Sequence, residues 1–306
     1  MSRISHKSMS ADTAFFEKLL SLYRGLRPLS TLTNSPGGGR VVAERSIAIA
    51  AREIYMRRNI TMRNNLFDND DFFERYKSAR TKSISYNNLL EQPAMKSLLP
   101  DLKNKIVLDM GCGFGFSCVE FRKKGAAKVI GIDISEKMLH AARSQNTDEN
   151  LQFLHLDIEK INELGLTFDV VYSSMTMHYI VDFEKIVKKV YEVLNNKGVF
   201  LFSQDHPICT ASLEGPTWIE NEQGVKTAAA ISNYLKNGER NVDWMNQSVV
   251  KYHRSFSAIM NTLVEHGFSV LKVVEPMPTE QVLQLAPHMC DEMHRPTAII
   301  IQAQKT

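Results

Sequence analysis

Five short apolar runs, each followed by a turn or a stretch of helical period, set the rhythm of residues 106–203. They are Ile106–Leu108, Val129–Ile132, Leu151–Leu156, Asp169–Ser173 and Val199–Ser203. Runs this short and dense are expected of parallel strands buried on both faces. Helical patterns fill the gaps: Phe116–Lys124, a helix opened by Ser135 as N-cap, and Phe183–Leu194, after which Asn195–Gly198 turns into the fifth run. A helix over Ser255–His266 leads to two more strands, Val270–Val274 and Thr297–Ala303. Strand alternating with helix predicts an α/β fold built on a parallel sheet. Upstream, Phe15, Phe16, Leu19, Leu20, Tyr23 and Leu26 repeat at helical spacing within Ala11–Leu26, and Val41–Arg58 reads as a second helix.

Composition narrows the class. Of 306 residues, 43% are hydrophobic and 23% charged, ordinary values for a globular protein. No apolar run reaches membrane-spanning length and none resembles a signal-peptide core. The four cysteines, Cys112, Cys118, Cys209 and Cys290, form no CxxC pair, so free thiols in a reducing cytoplasm are expected and a zinc site is not. Net charge is +3, unevenly spread: residues 1–66 carry eleven Lys and Arg against four acids. Such an arm could touch nucleic acid or an acidic surface. A solvated, helix-rich extension is the favoured reading, with nucleic acid not expected as a partner. Its apolar stripes still need cover, from the catalytic domain, over its site, or as the seam of a homodimer.

The chemistry gathers around Ile106–Cys118, IVLDMGCGFGFSC. Asp109 closes the strand, and Gly111, Gly113 and Gly115 alternate through the turn before the next helix. Glycine lacks Cβ and accepts positive φ, so backbone N–H groups can come close to a ligand. Strand end followed by helix N-terminus is where an open α/β sheet binds. The spacing D-x-G-x-G-x-G is neither the dinucleotide fingerprint nor a Walker loop. Asp133 ends the second strand, 24 residues after Asp109, where a carboxylate can accept both hydroxyls of a ribose. Asp157 and Ile158 end the third and are placed to hold an adenine edge. Acidic tips on three strands repel a pyrophosphate and suit a cationic nucleoside.

From about Asp70 onward the chain resembles a class I S-adenosylmethionine-dependent methyltransferase. The matching motifs are VLDMGCGFG, VIGIDISEKML, FLHLDIEKI, FDVVYSSMTMHYI and LNNKGVFLFS. The resemblance implies a Rossmann-like, seven-stranded, mostly parallel sheet with helices on both faces, the last strand antiparallel, plus the helical N-terminal extension. Residues 1–66 would be that extension and 67–306 the methyltransferase domain. The cofactor would be S-adenosylmethionine, leaving as S-adenosylhomocysteine, with no metal. Cofactor contacts carried over by the motifs are Asp109, Gly111, Cys112, Gly113, Gly115, Asp133, Ile134, Met138, Asp157, Ile158 and Ser174. Many small-molecule methyltransferases fold an amino-terminal helix over the cofactor, which singles out Tyr76 and Tyr86 for the methionine moiety and Arg80 for its carboxylate.

The acceptor is the open question. Residues 204–267 form the longest departure from a minimal domain and carry Trp218, Tyr234, Trp244, Tyr252 and Arg254, which with Tyr179 are candidates to roof an apolar substrate pocket. Methyl transfer needs in-line positioning, and an amine or hydroxyl acceptor must lose a proton. His206, His253 and His178, all in loops at the expected edge, are the candidate bases. No Asn-Pro-Pro-Tyr follows the fourth strand, which argues against amino-group DNA methylation. The expected activity is therefore methylation of O, N or C of a small, partly apolar metabolite. A cyclase or isomerase that borrows the cofactor's charge, or a non-enzymatic scaffold, are the alternatives.

Overall fold

The computed structural model describes residues 64–306 apart from 214 and 216. The two helices expected within 1–66, and the dimer seam they could form, lie outside the described residues. Strands β1 (Ile106–Met110), β2 (Lys128–Asp133), β3 (Leu151–His155), β4 (Phe168–Ser173) and β5 (Leu194–Asp205) run parallel. Four strands, β6 (Thr217–Glu220), β7 (Lys226–Ala230), β8 (Gly238–Trp244) and β9 (Gln247–His253), follow as two separate hairpins. The last two, β10 (Phe268–Val274) and β11 (Ala298–Lys305), return to the main sheet. Its order is β10-β11-β5-β4-β1-β2-β3, with β11 antiparallel to both neighbours. This is the expected seven-stranded, mostly parallel sheet.

Helices pack on both faces, as the doubly apolar strands require. Helices α1 (Asp70–Thr81) and α2 (Gln92–Ser97) precede β1, with a π-helical turn, Asn87–Glu91, between them. Met95 from α2, Cys118 and Phe121 from α3 (Phe116–Lys123), and Leu139 and Ala142 from α4 (Glu136–Ser144) cover one face with Val107, Val129 and Tyr172. Leu108, Ile130, Phe200 and Phe202 face the other way, onto α5 (Phe183–Val193) and, after the short α6 (Pro207–Thr210), α7 (Phe256–Glu265). Phe121 meets Tyr172 edge to face at 4.9 Å between ring centroids, and burying such a ring contributes about 1.5–3 kcal/mol. A last helix, α8 (Glu280–Leu285), leads into β11. Ser135 caps α4 as expected, its Oγ accepting from the Met138 N–H at 3.2 Å.

Two expectations change. Strand β5 starts at Leu194, so Asn195–Gly198 lies within it as an irregularity: Lys197 has φ 62° and the register against β4 shifts there. The segment 204–267 is also built on hairpins, which its scattered aromatics did not suggest. The β8–β9 turn is Met245-Asn246, with φ 53° and 61°, the backbone of a tight hairpin turn that usually takes Asn-Gly. A methionine in its first position hides the signal. Among the described residues no helix is long and apolar enough to cross a membrane, and Cys112, Cys118, Cys209 and Cys290 are all free thiols.

Candidate active site

A cavity of about 350 Å³ opens along the carboxyl ends of β3, β2, β1, β4 and β5. The glycine turn after β1 forms its floor. Gly111 and Cys112 donate their N–H groups to the Ile132 carbonyl at 2.8 and 3.0 Å, tying the turn to β2. Gly111 has φ +74°, and a Cβ there would lie 2.4 Å from Thr176 Oγ1. Gly113 has φ +52°, and a Cβ there would meet nothing within 4 Å, because it would project into open space. Both residues line the cavity. The first glycine is thus needed for packing and the second leaves room for a ligand.

Asp133 stands beside that turn. Its Oδ2 accepts from the Gly113 N–H and its Oδ1 from the Ser135 N–H, each at 2.9 Å. Burial pushes its carboxyl above the ordinary range, and the N–H donors of Ser135, Gly113 and Ile134 oppose the rise. Asp157 caps the 3₁₀ turn Ile158–Leu164, accepting from the Glu159 N–H at 2.8 Å. Asp133, Ile134, Met138, Asp157, Ile158 and Ser174 all lie in the wall. The group they suit is a nucleoside: a carboxylate at hydroxyl height on β2, and an acid with an apolar neighbour after β3. The open cradle at Gly113 fits the rest of such a ligand.

Three expected contacts lie beneath the wall instead. Asp109 is buried under the turn, where Cys118 Sγ donates to its Oδ2 at 3.1 Å. Burial, only partly offset by that thiol, raises its pKa to about 7. Cys112, its own thiol pushed up to about 11 by burial, and Gly115, the left-handed residue that opens α3, complete the layer below. These residues shape the loop without facing the cavity. Arg80 is also outside the wall; its charge is felt by the buried Tyr76 hydroxyl, where it opposes the rise that burial causes.

The mouth is aromatic. Phe67 meets Tyr76 at 5.2 Å and Tyr179 at 6.1 Å, while Tyr76 and Trp244 meet at 5.8 Å. Helix α1, the loop after β4 and the β8–β9 hairpin therefore converge on one apolar wall, and Arg75 Nη1 donates to the Met245 carbonyl at 3.0 Å across the same junction. Tyr76, Tyr86, Tyr179 and Trp244 line the cavity. Trp218 lies elsewhere, its ring 4.6 Å from both Lys226 and Arg295. The Tyr234 hydroxyl accepts from the Phe256 N–H at 3.1 Å, and Tyr252 lies on β9 outside the wall. Arg254 donates to the carbonyls of Met177, Ile180 and Val181 and so pins the loop after β4 from behind.

The three histidines separate in the same way. His206 caps α6 with Nδ1, accepting from the Ile208 N–H at 3.1 Å, and its Nε2 meets Glu275 Oε1 at 2.8 Å. His253 is buried between Thr210 Oγ1 and the Tyr234 carbonyl, both at 2.8 Å. Neither lines the cavity, and both ring nitrogens of each are engaged in hydrogen bonds. His178 does line it. Its Nδ1 accepts from the Asp205 N–H at 3.1 Å, and burial drives its pKa down to about 3, with Asp205 opposing and Lys251 and Arg254 assisting. The ring is therefore neutral near pH 7, and with Nδ1 used as an acceptor the hydrogen must sit on Nε2.

Several participants carry no motif. Asp205 ends β5 in the wall, and its Oδ2 pairs with Lys251 Nζ at 2.5 Å. Glu91 is fully buried and accepts from Ser174 Oγ at 2.8 Å, Ser203 Oγ at 2.6 Å and Gln92 Nε2 at 2.9 Å. It ties the segment before β1 to the tips of β4 and β5. Acids paired across 46 and 83 residues leave no local spacing to read.

A doubly wound sheet with a cavity along the carboxyl ends of its strands defines the class of open α/β folds that bind ligands in that crevice. The comparisons agree. A methyltransferase domain model matches residues 101–248. A solved S-adenosylmethionine-dependent methyltransferase from Mesorhizobium loti is 33% identical, with a TM-score of 0.65 over 70% of this chain and 97% of its own. A structure from Listeria monocytogenes, assigned to the same class, is 38% identical, with a TM-score of 0.66 over 71% and 96%. An uncharacterized protein of Haemophilus influenzae is 38% identical over 247 residues, which is 79% of this chain and 97% of that one. The chain belongs to the class I S-adenosylmethionine-dependent methyltransferases.

Proposed function

We propose that the enzyme moves the methyl group of S-adenosylmethionine to a small, partly apolar metabolite, chiefly by holding the acceptor in line. The observation that carries this reading is one continuous cavity, with a nucleoside cradle at β1–β3 and an aromatic-walled chamber over β4 and β5. In it Asp133 takes the ribose hydroxyls, Asp157 and Ile158 the adenine edge, and Gly113 leaves room for the amino-acid portion, with Tyr76 and Tyr86 above. When bound, the cofactor supplies an electrophilic methyl carbon whose leaving group needs no proton. The chain contributes orientation and exclusion of water, effects that can supply much of a barrier reduction. His178 enters this account as a hydrogen-bond donor to the acceptor, because its free nitrogen carries the hydrogen.

The test is product analysis. Full-length enzyme incubated with S-adenosylmethionine and a metabolite panel accumulates S-adenosylhomocysteine in step with a methylated product. Rearranged substrate without S-adenosylhomocysteine would indicate a cyclase or isomerase, and binding with no turnover of any substrate a scaffold.

A further inference from the structure

We propose that the acceptor enters as a carboxylate and that Lys251, steered by Asp205, receives it. The inference rests on the methyl-transfer reading and names the substrate class of that same site. Parallel strands are spaced about 4.8 Å apart, so a nucleoside spread over β3, β2 and β1 leaves the tips of β4 and β5 for the acceptor. At that end the charged side chains in the wall are Asp205 and Lys251. Their side chains are only 10% and 13% exposed. The ammonium also lies 5.6 Å from the Trp244 ring centroid and 6.0 Å from that of Tyr179.

Burying an ammonium is costly, and Asp205 satisfies one of its three N–H groups. The Asp205 carboxylate is committed to the ammonium through Oδ2, while Oδ1 lies 3.7 Å from the unprotonated His178 Nδ1. Three donors stand beside it at this end. They are the ammonium, the His178 Nε2–H, and the buried Tyr86 hydroxyl, which has no hydrogen-bond partner. Arg295, stacked on Trp218 with Nε and Nη1 buried and lacking hydrogen-bond partners, adds to His178 and Lys251 in holding the Asp205 carboxyl low, against the pull of burial. Donors around an ammonium suit an anion. An amine would set its own charge against Lys251.

The chemistry points the same way. An amine or alcohol must give up a proton during transfer, and His178, His206 and His253 each have the basic ring nitrogen engaged. A carboxylate has no proton to lose. Its oxygen lone pair forms the new O–CH₃ bond as the S–CH₃ bond breaks, and the electron pair of the broken bond stays on sulfur. Negative acceptor and positive sulfonium become neutral ester and neutral thioether, and no proton is released.

Three near-isosteric probes suited to the aromatic wall decide the matter: phenylacetate, phenethylamine and 2-phenylethanol. Each is titrated by calorimetry into the full-length protein saturated with S-adenosylhomocysteine, so binding is read without turnover. The proposal expects phenylacetate to bind best, Lys251→Gln to weaken it by about tenfold or more, and Lys251→Arg to retain most of the affinity. Failure of phenylacetate to bind, equal or tighter binding of the amine or alcohol, or indifference to Lys251→Gln would each overturn it. The wild-type ranking stands even if a variant fails to fold. S-adenosylhomocysteine that fails to bind at all would instead refute the methyltransferase reading.

Discussion

The Gly113 N–H donates to Asp133 Oδ2 at 2.9 Å, so the turn after β1 and the tip of β2 hold each other in place. With Ser135 N–H on Oδ1, the carboxylate is fixed on two sides before any ligand arrives. Ordering a binding group in advance removes an entropic cost from association. The same contact explains why a half-buried acid is tolerated at the cavity wall: it is solvated by the backbone.

The two glycines of that turn should fail differently. Gly113→Ala puts a methyl group into open cavity space at φ +52°, a left-handed conformation costing about 1–2 kcal/mol for alanine. The variant should fold and lose affinity for S-adenosylhomocysteine. Gly111→Ala drives a Cβ to within 2.4 Å of Thr176 Oγ1, so it should lower the melting temperature more than Gly113→Ala. Thermal melts paired with calorimetry check both, and a reversed order of stability would contradict the assignment.

His253→Ala should destabilise the protein without changing turnover per folded molecule. The ring is 1% exposed and bridges Thr210 and the Tyr234 carbonyl, and leaving two buried groups unpaired costs about 1–3 kcal/mol each. His206→Ala should behave likewise but more mildly, since Glu275 is half exposed. Urea unfolding and turnover normalised to folded protein separate the effects. Loss of turnover at unchanged stability would restore a catalytic role.

His178 supplies a pH dependence with a definite sign. Its pKa falls from 6.5 in the unfolded chain to about 3, so the folded state binds fewer protons than the unfolded one between those values. The stability it confers relative to a neutral isostere is complete above pH 6.5 and lost as pH falls towards 3. Asp109, raised from 3.8 to about 7, works the other way: its contribution is lost as pH rises through about 7. The wild-type profile is thereby flattened, and a difference measurement is needed. The gap in unfolding free energy between wild type and His178→Asn should narrow by about 1–2 kcal/mol from about pH 7.5 to about pH 5. A gap that widens would refute a neutral, buried ring.

How far a sequence discloses such a site depends on whether the information is local. Asp133 and Asp157 are legible because each directly follows an apolar run, and parallel strands place all such tips on one edge. Asp109 obeys the same rule and yet ends up underneath, because the glycine turn folds over it and Cys118 claims its oxygen. No spacing announces that. Lys251 and Asp205 meet only because the β8–β9 hairpin closes over β5, and that hairpin turns on Met245-Asn246, an unusual pair for it. For His206 and His253 the position along the chain is legible and the direction of the ring is not. Side-chain direction is set by caps and partners such as Ile208 N–H and Thr210 Oγ1, which tertiary packing alone decides.

The most direct measurement is calorimetric titration of S-adenosylhomocysteine into wild type and Asp133→Ala. One ligand should bind per wild-type chain. A charge-assisted hydrogen bond contributes about 1.5–3 kcal/mol, so the variant should bind roughly ten- to a hundredfold more weakly while its fold is retained. Equal affinity in the two proteins, or no binding to the wild type, would contradict the account.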